Sequence, residues 1–152
     1  MVLSCHAESI ASLDRRIASL AQAAIPNTLQ QLPGVGPLTA LILVHELGDV
    51  RRFKSSRAVA AYAGLVPKVN QSADKAHHGR ITKRGNRQVR HVLSEWAVRL
   101  LATDRRVIEW SQARLKRSHK NKVRMALARR LMIGVYKSLL TEEEFSLERC
   151  LA

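Results

Sequence analysis

Two stretches of this chain, 86–103 and 120–140, leave little freedom in how it can fold. In GNRQVRHVLSEWAVRLLATD, the residues Val89, Leu93, Trp96, Ala97 and Leu100 recur at helical spacing behind Asn86, a good N-cap residue. In KNKVRMALARRLMIGVYKSLL, Val123, Leu127, Leu131 and Val135 do the same, and Lys and Arg fill the outer face. Two such apolar faces need helical partners to cover them. The remaining apolar content is of the same kind: 46% of 152 residues, with aromatics at only 4%. Ala, Leu, Val and Ile carry it, which favours packed helices in one domain over a β-sandwich.

The shorter segments carry their own start and stop signals. Pro37 suits the first position of a helix running to about Leu47, and Gly48 suits its end. Ser55 or Ser56 caps a short helix that stops at Gly64. Asp104 caps another through Val107, Ile108 and Leu115, and TEEEF pairs Thr141 with Glu144 in a capping-box pattern. Near the start, Ile10, Leu13, Ile17, Leu20 and Ala24 make a narrow seam over 8–24 that Pro26 ends. Such a seam suits a partner helix or an ordinary core position. There is no internal repeat and no convincing strand. The expected fold is an all-α, compact multi-helix domain with a helix-hairpin-helix-like turn and a long basic loop.

Charge narrows the function classes. With 26 Lys and Arg against 12 Asp and Glu the chain carries +14, a surface that attracts polyanions, nucleic acid foremost. Cys5 and Cys150 have no zinc or disulfide spacing, which suits a reduced cytoplasmic setting. No signal peptide and no apolar run of membrane-spanning length are present, so no membrane role is expected. His77 and His78 are adjacent and chelate poorly in an extended segment, and the acids are scattered, so no metal site is expected in this chain.

The basic stretch 66–91 holds seven Lys and Arg, three His and one acid, Asp74. Its polar first half reads as an irregular loop over 66–82 whose bases can line a phosphate backbone. Ser72 lies at its start. A hydroxyl among such cations can attack a phosphodiester, although most loop serines are merely solvated turn residues. Earlier, LPGVG between two helices leaves backbone N–H groups free to hold a phosphate without reading sequence, through Gly34 and Gly36.

Several ordered blocks resemble the C-terminal transposase domain of the insertion-sequence 110 family, the DEDD-plus-serine, bridge-RNA-guided transposases. They are the P-G-V-G turn, the F…A-x-Y-A-G-L-x-P segment, K-R-G-N-x-x-x-R, and a final basic helix ending in Tyr136, spanning about 29–140. The resemblance implies a catalytic serine five residues after the proline of GL-x-P, which here places Ser72 after Pro67. The family usually follows that serine with glycine; this chain has Ala73-Asp74. Ser94, on the helix face shared with Arg87, Arg90 and His91, is the alternative serine, without support from the family pattern. The implied phosphate contacts are Gly34, Gly36, Lys75, Arg80, Lys83, Arg84, Asn86, Arg87 and Arg90.

By the same resemblance, residues 1–25 are the end of a linker or coiled-coil helix, 26–140 the DNA-recombining domain, and 141–152 an acidic cap or tail. The family also has an N-terminal RNase H-like domain whose four acids bind magnesium. No cofactor is expected in this chain itself, which reads as half of a composite active site: a fragment, a shortened reading frame or a cut piece. The implied partners are DNA, a guide RNA and a second copy through the N-terminal helix. The implied setting is the bacterial or archaeal cytoplasm, at the nucleoid. A non-catalytic helix-hairpin-helix nucleic-acid-binding module stays open as the alternative.

Overall fold

In the computed structural model, α4 (Arg87–Thr103) and α6 (Lys120–Thr141) pack side by side and form the centre of the domain. The structure describes residues 2–29, 31–72, 75–81 and 84–152, with 2–5 and 67–80 described by their backbone. All five apolar residues expected on the inner face of α4 are buried, as are Val123, Leu127, Leu131 and Val135 of α6. Around this pair lie α1 (Val2–Ala24), α2 (Pro37–Leu47), α3 (Ser56–Tyr62), α5 (Arg105–Leu115) and α7 (Leu147–Leu151). Single 3-10 turns at Asn27–Leu29 and Val50–Arg52 complete the helical body. The domain is all-α, as expected from its periodicity and composition.

The helix boundaries follow from side-chain chemistry. Asn86 Oδ1 accepts from the N–H groups of Gln88 and Val89 at 2.9 and 3.0 Å, so it caps α4. Ser55 is the cap of α3, accepting from Ala58. Asp104 caps α5 through Arg106 and Val107, and the Arg106 guanidinium bonded to it holds its carboxyl below the usual carboxylate range.

Two expectations are corrected. In place of the expected irregular loop, β1 (Pro67–Ser72) and β2 (Lys75–Ile81) pair as antiparallel strands, irregular between Pro67 and Val69. Thr141 does not open a helix. It is the last residue of α6, its hydroxyl donates back to the Lys137 carbonyl, and Ser146 caps α7 instead.

At the two ends the chain behaves differently. Of the α1 seam, Ile10, Leu13 and Leu20 are each more than half exposed (59, 57 and 59%) and Ile17 is half-buried, while Ala21 beside it is buried. The C-terminal segment is docked. Leu147 and Cys150 are buried, Phe145 tilts against Trp96 at 5.6 Å, and Gly134 of α6 leaves the space they occupy. No helix among the described residues is long and apolar enough to cross a membrane.

Candidate nucleic-acid interface

The hairpin enters and leaves the helical body at one point. Gly64 and Gly85, at φ +67° and +142°, stand at its two feet. A Cβ on Gly85 would collide with the Tyr62 carbonyl and come within 2.7 Å of the Gly64 nitrogen, so the two backbone segments meet only because both residues are glycine. The neighbouring Asn86 N–H donates to the Tyr62 carbonyl at 2.7 Å.

Side chains then tie this crossing to α2. The Asn86 amide donates to Glu46 Oε2 at 2.5 Å and to the Tyr62 hydroxyl at 3.1 Å. That hydroxyl lies 3.0 Å from the Glu46 carbonyl and 3.3 Å from its carboxylate. Arg52 lies over the Phe53 and Tyr62 rings at 4.5 and 4.9 Å and donates to the Leu47 and Glu46 carbonyls. Phe53 meets Tyr136 edge to face, and the Tyr136 hydroxyl donates to the Phe53 carbonyl at 3.1 Å. The Y-A-G-L and R-G-N blocks of the sequence and its final tyrosine thus form one clasp around the hairpin's base.

The clasp sorts the expected contact residues. Arg84 and Arg87 are exposed beside the feet and have no ion pair among the described residues. Arg90 is half-buried, and its Nη1 donates to the Ala63 carbonyl at 3.2 Å. Both polar ends of Asn86 are engaged inside the protein. Lys75 and Arg80 lie on β2, Ser72 ends β1 opposite Lys75, and Lys83 falls outside the described residues. Five strand steps separate Ser72 from Pro67, about 17 Å. Ser94 is half-buried on α4.

The L-P-G-V-G turn forms a second group. Its preceding helix is reduced to the 3-10 turn Asn27–Leu29. The Trp96 indole N–H donates to the Pro33 carbonyl at 2.8 Å, fixing the turn to α4. Gly34 lies against the stem of Arg99, and Gly36 starts α2 with no side-chain cap and open space around its Cα. Arg99 is exposed and was not expected at this site. It stands 65 residues after Gly34, so only the packing of α4 reveals it. Nine residues of α4 separate Arg90 from Arg99, about 14 Å.

The ion pairs lie elsewhere. The four ion pairs among the described residues are Arg105–Glu109, Arg106–Asp104, Arg106–Glu148 and Arg149–Glu143, all on or beside α5 and α7. They leave the α4 arginines unneutralised. No group of three or more His, Cys, Asp or Glu that could hold a metal ion occurs among the described residues.

These features define a basic all-α domain with a clasped hairpin and a small-residue turn set against the central helix. The chain belongs to the transposase IS116/IS110/IS902 family, whose model matches residues 27–112. It is 33% identical over 149 residues to a putative transposase, y4pF/y4sB, of Sinorhizobium fredii, covering 94% of this chain and 38% of that protein. It is 35% identical over 129 residues to the transposase for insertion sequence element IS1328 of Yersinia enterocolitica (82% and 39%). Against the transposase for IS1111A of Coxiella burnetii it is 34% identical over 143 residues (90% and 39%). The chain spans about two-fifths of the length of these curated relatives.

Proposed function

We propose that this chain is the DNA-recombining part of an insertion-sequence transposase and that Ser72 is its nucleophile. The Ser72 hydroxyl attacks a DNA phosphorus. A serine–phosphate bond forms, the bond to one deoxyribose oxygen breaks, and that oxygen leaves with a proton. A free DNA hydroxyl later attacks the same phosphorus and releases the serine. Holding the strand covalently conserves the bond, so exchange needs no added energy source.

Arg84, Arg87, Lys75, Arg80 and Lys83 hold strand or guide-RNA phosphates around the hairpin, while Gly34, Gly36 and Arg99 hold a phosphate at the turn. Asn86 and Arg90 act from inside, by fixing where the hairpin leaves the body. The observation that carries this reading is the family match over 27–112, which spans both the turn and the clasped hairpin. In this reading magnesium is held by the acids of the family's RNase H-like domain. The exposed α1 seam packs against a second copy of the chain, and the setting is the nucleoid.

The test is Ser72→Ala in a complete transposase. Strand exchange should vanish while nucleic-acid binding stays nearly unchanged, because a neutral hydroxyl adds little to an interface built on phosphate neutralisation. Ser94→Ala is the matched control and should keep most activity. A covalent DNA–protein adduct that survives Ser72→Ala would refute the assignment, and binding without any exchange in the unaltered protein would favour a purely binding module.

A further inference from the structure

The turn between α5 and α6 carries a concentration of charge that the hairpin does not explain. Residues 114–124 hold Arg114, Lys116, Arg117, Lys120, Lys122 and Arg124 and not one acid. Arg114 is committed internally, stacked on Trp110 at 4.0 Å and donating to its carbonyl, and Arg124 is half-buried. The other four are exposed, with no ion pair or side-chain hydrogen bond among the described residues. Arg114, Lys116 and Arg117 line an open groove of about 600 Å³ with Ala113 and Ser118.

This placement works against the stability of the fold. Lys120 and Lys122 occupy the first turn of the 22-residue α6, which has no acid there. The helix dipole favours acids at that end and disfavours cations. The dipole would favour Asp or Glu at these two positions, and on the neighbouring α5 and α7 Arg105, Arg106 and Arg149 are paired with acids. A surface that keeps four unpaired cations together, two of them at a cost to the helix they open, is matched to an external polyanion.

Position separates it from the hairpin. Tyr136 belongs to the clasp, and Lys120 lies sixteen residues earlier on the same helix, about 24 Å away. We infer that the α5–α6 turn is a second nucleic-acid docking surface, in which Lys116, Arg117, Lys120 and Lys122 grip a phosphate backbone apart from the one held at the hairpin. This rests on the proposed recombining role for the choice of nucleic acid over other polyanions. The contacts are to phosphate, which both DNA and RNA supply.

The experiment compares the full chain with Lys116→Ala/Arg117→Ala/Lys120→Glu/Lys122→Glu and with Arg84→Ala/Arg87→Ala, titrating a DNA duplex and an RNA duplex at several salt concentrations. If each of the four cations neutralises one phosphate, the quadruple variant should lower the salt slope by about three to four. The larger loss on DNA or on RNA identifies which one docks there. The acids in the quadruple variant suit the α6 N-terminus, so its melting temperature should rise while its binding falls. A purely structural role for the lysines gives the reverse. An unchanged slope with the Arg84/Arg87 variant weakened overturns this surface and leaves the hairpin reading intact. No binding by the unaltered chain overturns both, and binding to anionic lipid vesicles but to neither duplex overturns the choice of partner.

Discussion

Replacing Asn86 by Asp isolates what the clasp contributes, because it keeps one of the residue's two roles and inverts the other. The cap on α4 survives, since an aspartate accepts from Gln88 and Val89 as well as asparagine does and suits the helix N-terminus. The bond to Glu46 does not. A hydrogen bond to a charged group is worth about 1.5–3 kcal/mol, and it is replaced by two carboxylates facing each other. Two like charges 4 Å apart repel by about 4 kcal/mol at an effective dielectric near 20, and rotation and water at this half-buried site cut that to roughly 1–2 kcal/mol. Asn86→Asp should therefore cost about 3–4 kcal/mol, a large share of a domain's typical 5–15 kcal/mol. Glu46→Gln alone should cost about 1 kcal/mol, as a charge-assisted bond becomes a neutral one.

Combined, the two substitutions rebuild the bond with donor and acceptor exchanged. The double variant should lie within about 1 kcal/mol of the original protein, giving a coupling energy near 3 kcal/mol. Urea unfolding followed by circular dichroism measures all four corners of the cycle. Additive costs within about 0.5 kcal/mol would refute the link between α2 and the hairpin's base.

Gly134→Ala should cost about 1–3 kcal/mol, because its Cβ would come within 2.9 Å of the Phe145 ring and collide with Cys150 Sγ; the urea midpoint reads this. Burial pushes the Cys150 thiol up to about 11, so it should resist iodoacetamide at pH 8 until the protein unfolds. Since folding raises this pKa, the stability it contributes is intact below about pH 9 and is lost as pH rises through about 11, which denaturation across that range checks. Nucleic-acid affinity should fall about a thousandfold between 50 and 200 mM salt if roughly six phosphates are neutralised, and a flat response in fluorescence anisotropy would contradict an electrostatic interface.

Most helix boundaries were legible because single residues decide them: Pro37, Asn86 and Asp104 act on backbone groups within three positions of themselves. The hairpin was not. Pro67–Ser72 and Lys75–Ile81 have no apolar alternation, and their pairing shows only in the backbone register. Thr141 misled for a related reason. Its capping-box spacing is real, but α6 runs through it and turns left-handed at Glu142. At the candidate site the K-R-G-N block marked the right region, yet Asn86 contacts Glu46 forty positions away, a partner that no local pattern announces. Arg99 went unnoticed beside Gly34 for the same reason.

The two glycine feet have an implication for how such a domain can change over time. The chain departs and returns through one crossing, with Asn86 N–H bonded to the Tyr62 carbonyl, and this crossing holds the two ends of the segment together after the buried Leu65. Lengthening the intervening segment adds only a slowly growing closure entropy, about 0.6 kcal/mol per doubling. The 66–84 segment is thus an interchangeable cassette. It can be extended or exchanged for another at little entropic cost, provided Gly64, Leu65, Gly85 and Asn86 are kept.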